Sequence, residues 1–198
     1  MGTYSTSLDG ISASLGVGVV EEDASWLMAN ALGNYAGGNA DGFQLTFLLN
    51  YIEGNSSYIQ LSSVGNYVNG DTTGIQTAGV GNIVRGSFQG IQNAGVVNYT
   101  AGNLDGIQTS VVNAAGNIDG IQLGVVNWAG TVDGMQMGIV NIAGDMKGVP
   151  IGLINVSRNG GIEIQGWAGG QTDFNTALVF RSGFIYTRFT AGTSTGDN

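Results

Sequence analysis

The sequence predicts an all-β fold: a β-solenoid of about ten coils of 14–16 residues, followed by a C-terminal antiparallel β cap. Three observations predict it. A Gln recurs at Gln44, Gln60, Gln76, Gln92, Gln108, Gln122 and Gln136, and an Asn follows each, at Asn50, Asn66, Asn82, Asn98, Asn113, Asn127 and Asn141. The step between them is 16 residues at first and 14 in the second half; so short a period means one small unit stacked on copies of itself. Third, apolar runs of four or five residues rich in β-branched side chains lie between glycine-containing corners and lack a 3.6-residue period, so they read as short strands, two to a unit.

Taken from the N-terminus, the alignment first reaches two degenerate coils. Asn34 lies sixteen residues before Asn50, and Gly18 sixteen before that. The connection carrying Glu21, Glu22 and Asp23 suits a cap that discourages edge-to-edge pairing. At about 4.8 Å per coil, ten coils span on the order of 48 Å.

In the regular units three apolar columns are expected to face inward. One precedes the Gln (Phe43, Ile59, Ile75, Ile91, Ile107, Ile121, Met135, Val149), one lies two residues before the Asn (Leu48, Val64, Val80, Val96, Val111, Val125, Ile139, Leu153), and one falls late in the unit (Phe88, Leu104, Ile118, Val132, Met146). Glycines at 42, 74, 90, 106, 120, 134 and 148 supply the backbone angles of tight corners. The Asn column, continuing to Asn155, and the Gln column are expected to form amide ladders from coil to coil. An outer-membrane β-barrel is the alternative arrangement, but its strands need one apolar and one polar face, and the unit 121–129 mixes the two.

The repeat fails after Asn155. From Gly160 the chain alternates apolar and polar residues, as in Phe174–Phe180 and Phe184–Phe189, the pattern of antiparallel hairpins. Residues 1–159 are therefore expected to form the solenoid, and residues 160–198 a hairpin cap or the start of an anchoring segment.

The units GIQLGVVNWAGTVD, GMQMGIVNIAGDMK and GVPIGLINVSRNG, with the closing FNTALVFRSGFIYTRFTAG, resemble the G-[VI]-Q-x-G-[LVI]-[VI]-N repeats of bacterial surface-repeat proteins of spirochaetes and Bacteroidetes. The resemblance covers about residues 42–192. It implies a secreted or outer-surface protein and brings no catalytic residues. The 16-residue units before Asn98, and Thr77, Asn93 and Thr109 in place of Leu or Met after the Gln, depart from the pattern.

Composition narrows the function. Without Cys there are no disulfides or thiolate sites, and without His the commonest general base and metal ligand are missing. A net charge of −9 repels phosphate backbones, so nucleic acid is not an expected partner. No apolar run reaches the ~20 residues of a membrane-spanning helix. The start, MGTYSTSLDG, lacks the charged and apolar regions of a secretion signal.

Candidate chemistry is sparse. Asp105, Asp119 and Asp133 should stack and would offer oxygen ligands to Ca²⁺, but Asp-Gly is an ordinary turn dipeptide and Lys147 ends the row, so no metal or cofactor is expected. The Tyr51, Tyr67, Tyr99 and Trp128 column would form a sugar-stacking strip if Ala114 did not interrupt it; packing against a neighbouring element is the expected role. An ice-binding face would need an unbroken Thr row, and Asn93 and Leu123 break it. The expectation is a non-enzymatic spacer or adhesive surface outside the cell, with a glycan or a host or cell-surface protein as partner and self-association through solenoid edges possible; a carbohydrate- or ice-binding solenoid is the alternative.

Overall fold

In the computed structural model the described residues are 1–169, 172, 174–182 and 185–194. Phe184, quoted in the alternating pattern above, lies outside them. Eighteen strands form one continuous parallel sheet wound into a β-solenoid of about ten coils. Each coil pairs with the next in register, for example Gln76 with Gln92 and Asn82 with Asn98. A meander or barrel would pair successive strands antiparallel, so parallel register decides between the two architectures.

A 16-residue coil contains a seven-residue strand such as Thr72–Ala78 and a four-residue strand such as Gly81–Val84, with corners between them. In the second half the strands run on through one corner, giving Val112–Leu123 and Val126–Met137. The pairing shifts between Thr100 and Asn103 mark where a corner loses a residue.

The core departs from the expected one. Phe88, Leu104, Ile118, Val132 and Met146 are buried, as expected for the late column. The other two apolar columns face outward: Ile75 and Ile91 are 39% and 45% exposed, and Val80 and Val96 about half exposed. Side chains alternate along a strand, so the neighbour of an inward Gln points out. The column before the Asn shares the parity of the Asn but sits on a corner, where alternation lapses. What fills the interior instead is the Gln and Asn columns and a further row two residues after the Asn, Ile52, Val68, Val84 and Thr100, then Ala115, Ala129 and Ala143.

Beyond the last coil, Gly161–Ala168, Phe174–Ser182 and Ile185–Thr193 make a three-stranded antiparallel sheet. It sits against the end of the solenoid, where Asn155 Nδ2 donates to Thr187 Oγ1 at 3.1 Å. Arg181 pairs with Glu163 at 2.6 Å, and the Arg188 guanidinium lies 4.7 Å from the centre of the Trp167 ring.

Candidate interaction surface

The interior is built from amides. From Asn34 to Asn155 each Asn Nδ2 donates to the Oδ1 of the Asn in the following coil, at 2.7–3.1 Å. The second N–H of each amide goes to a backbone carbonyl, as from Asn66 to Thr77 O and from Asn127 to Met137 O. At the N-terminal end Asn30 enters the ladder from another position: its Nδ2 donates to Asn34 Oδ1 at 2.8 Å. Gly18 leaves the room for this, since a Cβ there would lie 2.1 Å from Asn30 Nδ2.

The Gln ladder runs the other way. Gln92, Gln108, Gln122 and Gln136 each donate through Nε2 to the Oε1 of the preceding Gln, at 2.7–2.9 Å. The two buried rows therefore carry amide dipoles of opposite sense, which offset each other along the axis. The Gln ladder is open at its ends: Gln44 Oε1, Gln60 Nε2 and Gln136 Oε1 find no protein partner, Gln136 because Pro150 is the next residue in its column.

A third ladder was missed in the sequence. At one corner the side chains of Asp23, Asn39, Asn55, Asp71 and Ser87 each accept the backbone N–H of the same position one coil later, at 2.7–3.2 Å. The signal was there, as short polar residues in one column ahead of the late core row. With three ladders holding successive coils in register, the solenoid is a stiff support for whatever it shows outside.

What it shows is largely apolar. Along the second half a shallow groove runs over Gly124, Gly138 and Gly152, walled by Leu123, Met137 and Ile151 on one side and by Val125, Ile139 and Leu153 on the other. On the short-strand face Tyr35, Tyr51 and Tyr67 stack on one another, with ring centres 5.7 and 4.8 Å apart, instead of packing against another element. The Tyr51 phenol is held above its usual pKa by lost hydration and then by the Glu53 carboxylate. Tyr99 and Trp128 continue the column as exposed residues, with Ala114 between them in register.

Asp105, Asp119 and Asp133 are in register and exposed, and Gln89 Nε2 donates to Asp105 Oδ2 at 3.0 Å. Among the described residues no three His, Cys, Asp or Glu side chains gather as a metal-holding group.

One place breaks the repeat. The glycine column expected at corners lies instead inside the long strands, with positive φ at Gly10, Gly42, Gly74, Gly90, Gly106 and Gly120, between 120° and 156°. Trp26 and Tyr58 occupy the same column, both at φ 81°. A bulky L-residue in that region is a backbone outlier costing about 1–3 kcal/mol. Burial does not repay it, since Trp26 is 70% and Tyr58 65% exposed. Between them a cleft of roughly 310 Å³ is lined by Ser25, Trp26, Asp41, Gly42, Phe43 and Tyr58. The sequence signal was the absence of glycine at these two positions; their backbone angles are visible only in three dimensions.

Compared with protein-family models, with curated proteins and with solved structures, the chain matches none of them.

Proposed function

We propose that the chain is a non-enzymatic repeat module displayed on the outside of a bacterial cell, a stiff spacer whose outward columns form an interaction surface. The carrying observation is that the apolar column of Val125, Ile139 and Leu153, expected in the core, lies outside it and, together with Leu123, Met137 and Ile151, walls an open groove over Gly124, Gly138 and Gly152 along the second half. Contiguous exposed apolar surface of this kind is characteristic of contact sites. The amide ladders support the reading from inside, because they fix the spacing at which the columns are presented. The resemblance of the Gln/Asn units to bacterial surface repeats supports the location.

A glycan and cell-surface-protein binding array, run with the full chain and with Ile139→Asp, tests this. The substitution is at an exposed position, so the fold should persist while capture by the array partner falls at least tenfold. Capture unchanged by Ile139→Asp, or cleavage of an arrayed glycan by the full chain, would overturn it.

A further inference from the structure

We infer that the cleft between Trp26 and Tyr58 is a binding site for a quaternary ammonium group, of the choline type. This does not depend on the interaction-surface reading, since it concerns the other half of the solenoid and a different kind of ligand.

The first ground is the repeat itself. Coil after coil places glycine in this column, and at Gly42 a Cβ would fall 2.2 Å from the Trp26 carbonyl oxygen. Two large aromatics nevertheless stand in the column, one coil to either side of Gly42, on strained backbone and mostly in solvent. Neither the core nor the ladders gain from them. Strain of this kind concentrates at ligand clamps.

The second ground is shape. Adjacent strands are about 4.8 Å apart, so Trp26 and Tyr58, two coils apart in one column, stand ~10 Å apart, with bare Gly42 as the floor between them. Phe43, 49% exposed, supplies a third ring on the neighbouring outward position. The midpoint is ~5 Å from either aromatic, inside the ~6 Å over which a cation is held by an aromatic face. A flat sugar or aromatic ring in contact with both walls would need them ~7 Å apart, twice the ~3.5 Å contact distance. A rounded trimethylammonium group suits the wider gap.

Charge is the third ground. Asp41 contributes a carboxylate to the lining and has no ion-pair partner among the described residues. Every Lys and Arg of the chain lies at Arg85 or beyond, so this part of the solenoid carries acidic side chains and no basic ones. Three electron-rich rings, a carboxylate and an acidic surround attract a cation and repel phosphate, sulfate and carboxylate ligands.

The test is calorimetric or NMR titration of the full chain with choline, with the uncharged isostere in which carbon replaces the nitrogen, and with a methyl glucoside. Choline should bind at least tenfold more tightly than either of the others. Trp26→Gly and Tyr58→Gly restore the glycine of the column, so both should fold as well as the parent, checked by circular dichroism, yet each should weaken choline binding at least tenfold. Asp41→Asn should weaken it several-fold. Absence of choline binding by the parent chain, equal binding of the isostere, tighter binding of the glucoside, or full binding by the two glycine variants would each overturn the assignment.

Discussion

The two halves of the solenoid solve one packing problem with different numbers of residues. Both stack the same Gln and Asn ladders, but a coil of the first half has 16 residues and one of the second half 14. One residue is lost at each of two corners: the Gln-to-Asn spacing falls from six (Gln92 to Asn98) to five (Gln122 to Asn127), and the Asn-to-Gln spacing from ten (Asn82 to Gln92) to nine (Asn113 to Gln122). The side chains shrink to match. The buried row after the Asn changes from Ile52, Val68 and Val84 to Ala115, Ala129 and Ala143, and the corner after the Gln from Ala78 and Ala94 to Gly124, Gly138 and Gly152. The ladders are thus the fixed part of the design and the corners the adjustable part.

Breaking a ladder should give the largest effect in either half. Asn127→Leu leaves Asn113 Nδ2 and Asn141 Oδ1 without their partner, while Met137 O keeps the Gly124 N–H at 3.0 Å. With ~1–3 kcal/mol for each buried polar group left unsatisfied, a loss of about 3 kcal/mol or more is expected. Asn98→Leu should cost somewhat less, because the Ser110 hydroxyl, 2.6 Å from Val112 O and 2.8 Å from Asn113 Oδ1, is placed to turn its one proton to Asn113 Oδ1. Urea unfolding of both variants measures the difference; a near-neutral Asn127→Leu would mean the ladder is a consequence of the stack rather than its cement.

The corners separate the halves next. At Gly124 a Cβ would meet Ser110 O at 2.5 Å and Asn113 Nδ2 at 2.6 Å, one of them backbone and the other a ladder amide. Gly124→Ala should therefore destabilise by about 1–3 kcal/mol, the usual range for overpacking. The reciprocal change in a long corner, Ala94→Gly, removes one buried methyl and adds backbone freedom, a loss of about 1 kcal/mol. If thermal melts rank them the other way, corner length is not what selects the residue.

How much of this was legible in the sequence follows from the same geometry. Period, coil number, parallel stacking and both ladders could be read because a stack puts like residues over like. The facing of the apolar columns could not be read by hydrophobicity alone: Ile75 and Gln76 are neighbours on one strand, only one of them can point inward, and the amide wins because the coils above and below satisfy it. Val80 escaped for a different reason, since it lies on a corner where strand alternation does not apply. Trp26 and Tyr58 were visible as interruptions of a glycine column, but the strain that gives them meaning is a backbone angle and leaves no mark in composition or spacing.

That strain yields a prediction of opposite sign. Trp26→Gly and Tyr58→Gly should each raise stability by up to ~1–3 kcal/mol by returning the column to a residue that tolerates positive φ, offset in part by the entropy of the unfolded glycine. Gly90→Tyr, placing an aromatic at the same column position further along, should destabilise, since its Cβ would sit 2.0 Å from Gly74 O. Melting temperatures of the three variants check the pair of signs together; a loss of stability in both glycine variants would show that the aromatics support the fold.

The smallest effect belongs to the tyrosine stack, which the first half has and the second half replaces with Ala114, Trp128 and Ile142. Tyr51 holds its phenolic proton more tightly than a free tyrosine does, chiefly through desolvation and then through Glu53 and the flanking rings of Tyr67 and Tyr35. A folded pKa above the ordinary 10.0 means the folded chain binds that proton more strongly than the unfolded one. The resulting stability is fully present below pH 10.0 and is lost as pH rises through the folded pKa. Alkaline titration followed by tyrosinate absorbance should show a late-ionising phenol that disappears in Tyr51→Phe, and that variant should lose less stability than the parent over the same rise in pH. If the phenol removed by Tyr51→Phe ionises with the bulk of the tyrosines, the stack neither shields Tyr51 from water nor shares its charge, and the first half owes its half-buried rings to something other than their contact with one another.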